Sequence, residues 1–174
     1  MEPWLWAVFI FLVGQRLVEL RVAKRNENWL KAEGAYEVGS DHYKWFVLTH
    51  TFFLAFLLIE AFLSPFHLNI LLQEIAIYIF VVTQLLRIWC IYSLGKFWNT
   101  KIIVLPGANL VKRGPYQFIK HPNYIIVGIE LLVIPFMFQA YISAILFPLI
   151  HLILLKVRIP IEEQALAEAY IKCN

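Results

Sequence analysis

The residues best equipped for chemistry fall into two groups. The first is Gly114-Pro115-Tyr116-Gln117-Phe118-Ile119-Lys120-His121-Pro122-Asn123-Tyr124, a basic, aromatic-rich island between long apolar runs. The second is Arg158-Ile159-Pro160-Ile161-Glu162-Glu163. His121-Pro122 is a helix-start signal, because proline fixes φ and suits a first turn. Free backbone N–H groups at such a start suit an anionic group such as a carboxylate, and His121 can donate to it as well. Tyr116 and Tyr124 offer aromatic faces to a cation or a flat ring. Gly114-Pro115 supplies a turn that brings backbone close to a ligand. Arg158 and Glu162, four residues apart, share one face of a helix, and Pro160 fits if the helix restarts there. Such groups would serve an amphoteric cofactor carrying a carboxylate, an amine, a sulfonium and an adenine. They would equally serve as an interfacial belt of Tyr and Lys, with a surface ion pair beside it. From the residues alone both readings stay open.

The elements that must position these groups are membrane helices. Of the 174 residues, 61% are hydrophobic and only 16% charged, with a mean hydropathy of +0.69. Soluble domains carry about 25% charged residues, so the composition points to an integral membrane protein. Apolar runs predict five spans: Pro3 to Leu20, Trp45 to Leu63, Ile70 to Leu94, Tyr124 to Phe138 and Tyr141 to Val157. The last two cover roughly 22 to 26 Å at 1.5 Å per residue, which suggests a tight helical hairpin. Residues 21–31 predict either a short surface helix or a solvated connection ending near Gly34. Ser64-Pro65-Phe66-His67-Leu68-Asn69 is a breaker. The tail from Arg158 repeats Ile161, Ala165, Leu166 and Ala169 at helical spacing. The fold class expected is all-α, a single membrane domain over 1–174, with N-terminal helices in 1–93 and a cofactor-binding half in 94–174.

Lys and Arg concentrate in the connections after spans one and three and in the tail. By the positive-inside rule these are cytoplasmic, and the N-terminus is outside. The first apolar run lacks a basic flank and a cleavage site, and reads as a retained helix. Cys90 and Cys173 form neither a disulfide framework nor a metal-ligand spacing, so no metal is expected. A net charge of +3 gives no reason to expect nucleic acid. Charges inside apolar runs call for a partner or a wet cavity. Arg16, Glu19, Glu60 and Glu74 lie near span ends and are expected to snorkel or meet water. Arg87 and Glu130 lie deeper. They suit a structural pair, or Glu130 lines a cavity beneath the island and meets the substrate.

The ordered set of the Gly-Pro-Tyr turn, His121-Pro122-Asn123-Tyr124, Arg158 and Glu162-Glu163 resembles the isoprenylcysteine carboxyl methyltransferase family, integral-membrane enzymes that use S-adenosylmethionine. The runs Leu94-Gly95-Lys96-Phe97-Trp98 and Ile102-Ile103-Val104-Leu105-Pro106-Gly107 look like a bacterial branch associated with O-methylation of alkylpyrones. The likeness covers about Leu94 to Tyr170. It implies cofactor contacts at Ala108, Asn109, Leu110, Val111, Tyr116, His121, Pro122, Asn123, Tyr124 and Glu162, and a substrate-anion contact at Arg158. Where the family often has Arg before the His, this chain has Lys120, which keeps the charge but lacks the bidentate fork.

The resemblance implies an O-methyltransferase in a bacterial cell membrane. Its acceptor would be a lipophilic oxyanion, an alkylpyrone enol or an isoprenylcysteine-like carboxylate, entering from the bilayer. Arg158 and Glu162 would be the catalytic pair. Because such an acceptor is largely ionised at neutral pH, no strong general base is expected. The rival readings are a membrane NADPH-dependent reductase of the sterol-reductase type and a non-enzymatic scaffold or sensor.

Overall fold

The computed structural model describes residues 2–63 and 70–171. Cys173 and the 64–69 breaker lie outside the described residues. Five helices dominate: α1 (Pro3–Ala32), α2 (Ser40–Leu63), α3 (Ile70–Leu94), α4 (Pro122–Phe138) and α5 (Tyr141–Ile171). Ser40–Leu63, Leu71–Phe97 and Tyr141–Ala169 are long and apolar enough to cross a membrane, whereas apolar α4 is shorter, at 17 residues. The outer faces are apolar, with Ile10, Leu85, Ile142 and Ile153 exposed. This is the pattern expected of helices solvated by lipid.

All five helices meet in one apolar cluster, through Leu12 of α1, Phe53 and Leu57 of α2, Phe80 of α3, Leu131 and Phe138 of α4, and Phe147 of α5. Lipid tails are as apolar as leucine, so close packing rather than water exclusion favours this arrangement. The α4–α5 hairpin turns at Gln139, in the left-handed conformation at φ 60°. Glu60 of α2 then caps α5, accepting from the backbone N–H groups of Ile142 (2.6 Å) and Ser143 (2.9 Å) and from Ser143 Oγ (2.8 Å). Its negative charge meets the positive end of the helix. Glu60 is thus a tertiary cap rather than the snorkelling or water-facing group expected.

Three other expectations change. First, α1 does not end at Leu20 but continues as one rod to Ala32, stopped by Gly34 at φ 92°. The charged end is fixed to the connection after α3: Asn26 Nδ2 donates to the carbonyls of Gly95 (3.1 Å) and Trp98 (2.7 Å), and the Trp29 ring meets Phe97 edge-on. Second, α5 does not restart at Pro160 but runs through it. Proline forfeits one ladder bond, while Ile161, Ala165 and Ala169 hold that part of the helix against Ile102 and Val104.

Third, the fold is all-α as expected but also carries a small two-stranded ribbon. β1 (Tyr36–Val38) pairs antiparallel with β2 (Ile102–Val104), in the register Tyr36↔Val104 and Val38↔Ile102. The β-branched run of β2 suits a strand, and the ribbon lies on the last turns of α5. By this seating the Thr100–Lys101 segment reaches the site.

The buried charges form the expected Arg87–Glu130 pair and add a second carboxylate to it. Arg87 is 1% exposed and donates from Nε to Glu130 Oε1 (3.0 Å), from Nη2 to Glu130 Oε2, and from Nη1 to both oxygens of Glu19 (3.2 and 3.3 Å). Gln84 adds a bond to Glu130 (2.9 Å), and Arg16 pairs with Glu19 (2.9 Å). Arg87 therefore bridges two carboxylates, and Glu19 is buried rather than snorkelling. Glu74 is exposed, as expected.

Candidate active site

The site sits where α2, α4 and α5 approach the connection between α3 and α4. His121 precedes Pro122, the first residue of α4, and makes no side-chain cap of its own. Its ring instead stacks on Tyr124, with centroids 5.4 Å apart and planes 18° apart. Its Nε2 meets Glu163 Oε1 at 3.3 Å, and Lys120 Nζ reaches the same oxygen at 3.2 Å. The helix start is as expected, but its histidine faces the α5 carboxylates.

Upstream, a 3-10 turn over Gly114–Gln117 places Tyr116. Gly114 has φ 55°, and a Cβ there would collide with Ser93 Oγ and the Trp89 indole nitrogen, so the turn fits closely against α3. Burial, reinforced by the adjacent Cys90 thiol and by Glu162, pushes the Tyr116 phenol above its usual range. It stays protonated, available as a donor and an aromatic surface.

The central feature is a relay joining α4 to α5. Arg158 Nε donates to the Tyr124 hydroxyl at 2.7 Å, and that hydroxyl donates to Glu162 Oε2 at 2.5 Å. Arg158 Nη2 donates to the Thr100 carbonyl at 2.7 Å, and the guanidinium lies 4.9 Å from the Phe46 ring centroid. Tyr43 Oη bonds Thr100 Oγ1 at 3.1 Å and steadies the same segment from α2. Arg158 is only 6% exposed, and no described residue bonds its Nη1. One edge of a fixed guanidinium is therefore left for an anion.

These groups line one cavity of about 280 Å³, near the lower end of small-molecule sites (about 300–1,000 Å³). Tyr116, His121, Asn123, Tyr124, Arg158 and Glu162 are all in its wall, so six of the expected site residues converge. Pro122 starts α4 behind them. Ala108, Asn109, Leu110 and Val111 are not in the lining, and neither is Glu130, which Arg87 holds beside a smaller neighbouring pocket. Arg16, Glu19 and Arg87 instead form part of the deep wall, with His50 and Leu54. Leu20 of α1 and Val47 and Thr51 of α2 line the cavity and are themselves exposed. Among the described residues, no group of three His, Cys, Asp or Glu is placed to hold a metal.

Thr100, Tyr43, Phe46, His50 and His151 were missed by sequence reasoning. Thr100 acts on Arg158 through a backbone carbonyl, which leaves no signature in the sequence. Phe46, His50 and His151 read as span filler, and Tyr43 lies just ahead of the second span, in a connection that carried no motif. Only the recurrence of polar aromatics at positions 43, 50 and 151 could have singled three of them out.

A profile of the isoprenylcysteine carboxyl methyltransferase (ICMT) family matches residues 75–168, from α3 into α5. The chain belongs to that family. ICMT-family members are methyltransferases, and with its apolar helices the chain is an integral membrane protein. It is 42% identical over 167 residues to the uncharacterized protein YpbQ of Bacillus subtilis, covering 96% of this chain and 99% of the relative. It is 30% identical over 166 residues to an uncharacterized protein of Haemophilus influenzae, covering 94% and 95% of the two chains. No solved structure matches. The ICMT-matched region contains Tyr116, His121, Asn123, Tyr124, Arg158 and Glu162, whereas Tyr43, Phe46 and His50 lie outside it.

Proposed function

We propose that this ICMT-family protein is an S-adenosylmethionine-dependent O-methyltransferase acting on a lipophilic oxyanion. An alkylpyrone enol and an isoprenylcysteine-like carboxylate are both of that class. The observation that carries the reading is the Arg158–Tyr124–Glu162 relay in the wall of one cavity. It sets a cationic acceptor-binding group and an anionic cofactor-facing group at a fixed spacing. The residues present fit the cofactor. Asn123 Oδ1 is buried without a hydrogen-bond partner among the described residues, which suits a ligand donor such as an amine. Glu162 offers a carboxylate to a cationic ligand, and Tyr116 an aromatic face.

When bound, S-adenosylmethionine supplies an electrophilic methyl group on a sulfonium. The chain's own part is positioning and electrostatics. Arg158 Nη1 holds the acceptor oxygen, while Nε and Nη2 lock the guanidinium to Tyr124 and Thr100. Tyr124 keeps Glu162 from folding onto Arg158, so the two charges stay separately available. Phe46 and Tyr124 screen the pair from water. Entry past the exposed Leu20 and Val47 would admit an acceptor from the bilayer. Five spans in one membrane domain, with the N-terminus outside and the C-terminus cytoplasmic, would let the cofactor arrive from the cytosol of a bacterial cell.

Two measurements test this. Purified protein in lipid nanodiscs should gain thermal stability with S-adenosylhomocysteine and none with NADPH; the reverse would favour the membrane-reductase reading, and neither would favour a scaffold. Arg158→Ala should abolish methyl transfer to membrane extract with S-adenosylhomocysteine binding largely kept. Near-wild-type turnover in that variant would remove Arg158 from its role.

A further inference from the structure

We propose that the turn carrying Phe118 and Ile119 is a membrane dock: these two side chains enter the acyl-chain boundary, and Lys112 and Arg113 hold headgroups of anionic phospholipid. Only the membrane-spanning fold is needed for this; the methyltransferase reading is not. Cavity wall and interfacial belt, alternatives from the residues alone, then occupy opposite faces of one turn.

The inner face is already assigned. Tyr116 and His121 line the cavity, and Pro115 is buried. The N–H groups of Phe118 and Ile119 both donate to the Pro115 carbonyl, each at 3.1 Å, which fixes the backbone between those two wall residues. On the outer face Phe118 is 76% exposed and Ile119 46%. Gln117 and Lys120 beside them are exposed as well.

Depth is set by α3. Its 25 residues rise about 37 Å, against a hydrocarbon core of about 30 Å, so its last turns lie among headgroups. Trp89 and Tyr92 in those turns are exposed, as interfacial aromatics are. Gly114 seats the turn at this level: a Cβ there would lie 2.1 Å from Ser93 Oγ and 2.8 Å from the Trp89 indole nitrogen. Beyond the turn, the exposed Ile125 and Ile129 carry an apolar outer stripe along α4. Phe118 and Ile119 thus stand between two lipid-facing helix surfaces, at the depth where acyl chains give way to headgroups.

Charge selects the lipid. From Gly95 to Tyr124 the chain holds Lys96, Lys101, Lys112, Arg113 and Lys120 and no acidic residue. Three of these cations are engaged: Lys96 lies over the Trp29 ring, Lys101 pairs with Glu27 and Glu37, and Lys120 pairs with Glu163. Lys112 and Arg113 are exposed and meet no acidic partner among the described residues. The Tyr116 N–H donates to the Arg113 carbonyl at 3.1 Å, so the free cations open the same turn that presents Phe118 and Ile119. Apolar side chains beside unpaired cations suit insertion into an anionic leaflet, and arginine can give a phosphate two parallel hydrogen bonds.

The test places p-benzoylphenylalanine at Phe118 of the full-length chain, in nanodiscs of phosphatidylcholine with a minority of phosphatidylglycerol. Light joins the side chain to what it touches, and mass spectrometry identifies the adducts. The same residue at Ile153, exposed on α5, reports the bulk lipid. Phospholipid adducts are expected at both positions, with phosphatidylglycerol enriched at Phe118 relative to Ile153. Each free cation should account for up to roughly fivefold of that enrichment. Lys112→Gln with Arg113→Gln should return the ratio to the Ile153 value and melt as the wild type does, since neither side chain holds a partner. Molar salt should shrink the enrichment, because the Debye length falls to about 3 Å. Lys112→Arg with Arg113→Lys, which keeps both charges, should preserve it.

Absence of phospholipid adducts at Phe118 would overturn the dock and leave the patch to a protein partner. A wild-type ratio equal to that at Ile153, or an enrichment that survives loss of both cations, would overturn the choice of anionic lipid. Loss of enrichment in the charge-preserving pair would do the same. Failure to bind S-adenosylhomocysteine would sink the methyltransferase reading and leave these outcomes untouched.

Discussion

Tyr124→Phe isolates the relay with little change in shape. The substitution removes one oxygen and keeps the ring, hence the His121 stack and the contact with Arg158. Two hydrogen bonds to charged groups disappear, Arg158 Nε to Oη and Oη to Glu162. Arg158 retains the Thr100 carbonyl and the Phe46 face, so it stays in the site but is free to turn. Among the described residues, Glu162 then retains only the distant His121 Nδ1 at 3.8 Å. A hydrogen bond to a charged group contributes about 1.5–3 kcal/mol. If one of the two is fully expressed at the transition state, kcat/KM falls by about 10- to 150-fold at 1.36 kcal/mol per decade. Affinity for S-adenosylhomocysteine should weaken less, because the aromatic face remains. The assay is transfer of a labelled methyl group in nanodiscs, paired with calorimetric titration of S-adenosylhomocysteine. Turnover within threefold of wild type would refute the idea that Tyr124 positions both charges.

The remaining predictions concern stability. Glu130→Gln leaves Arg87 under-compensated in the core and should cost about 3–5 kcal/mol, seen as a lower Tm in detergent; Arg87→Met with Glu130→Leu should be milder than either change alone. Glu60→Ala removes the acceptor from the start of α5 and should cost about 1 kcal/mol, read in the same melting experiment. Glu27 is held at about 2, below its usual 4.5, chiefly by Lys31, with Lys24 and Lys101 assisting against burial. A depressed carboxylate stabilises fully above its unfolded pKa and loses that contribution as pH falls through the folded value. Melting temperature should therefore drop between about pH 4.5 and 2, and Glu27→Gln should flatten that slope.

Much of this architecture can be read from residue order because a membrane makes length and polarity decisive. The third helix and the start of the fourth at Pro122 follow from apolar length and proline chemistry. The Arg87–Glu130 pair and the shared face of Arg158 and Glu162 follow from spacing and the cost of burial. What escaped depends on distant partners. Strand β2 needs β1 from beyond two membrane helices, and neither three-residue strand announces itself alone. Glu19 seemed able to reach water until Arg87 claimed it. The 108–111 stretch matched its family by order in the chain, yet the cavity wall is built from Tyr43, Phe46 and His50, which no motif marks.

The doubly bridged Arg87 also has a consequence for biogenesis. A lone arginine at the centre of an inserting helix costs about 2.5–3.5 kcal/mol on translocon scales. Its two carboxylates are separated from it by 68 residues on the N-terminal side and 43 on the C-terminal side. Glu19 is thus synthesised before α3 emerges and is available as an early partner, while Glu130 follows only with α4. Truncation after α3 should leave a half-neutralised helix that the membrane retains poorly, and extension through Glu130 should secure it. The order of synthesis, as much as the final contacts, lets a guanidinium settle inside the bilayer.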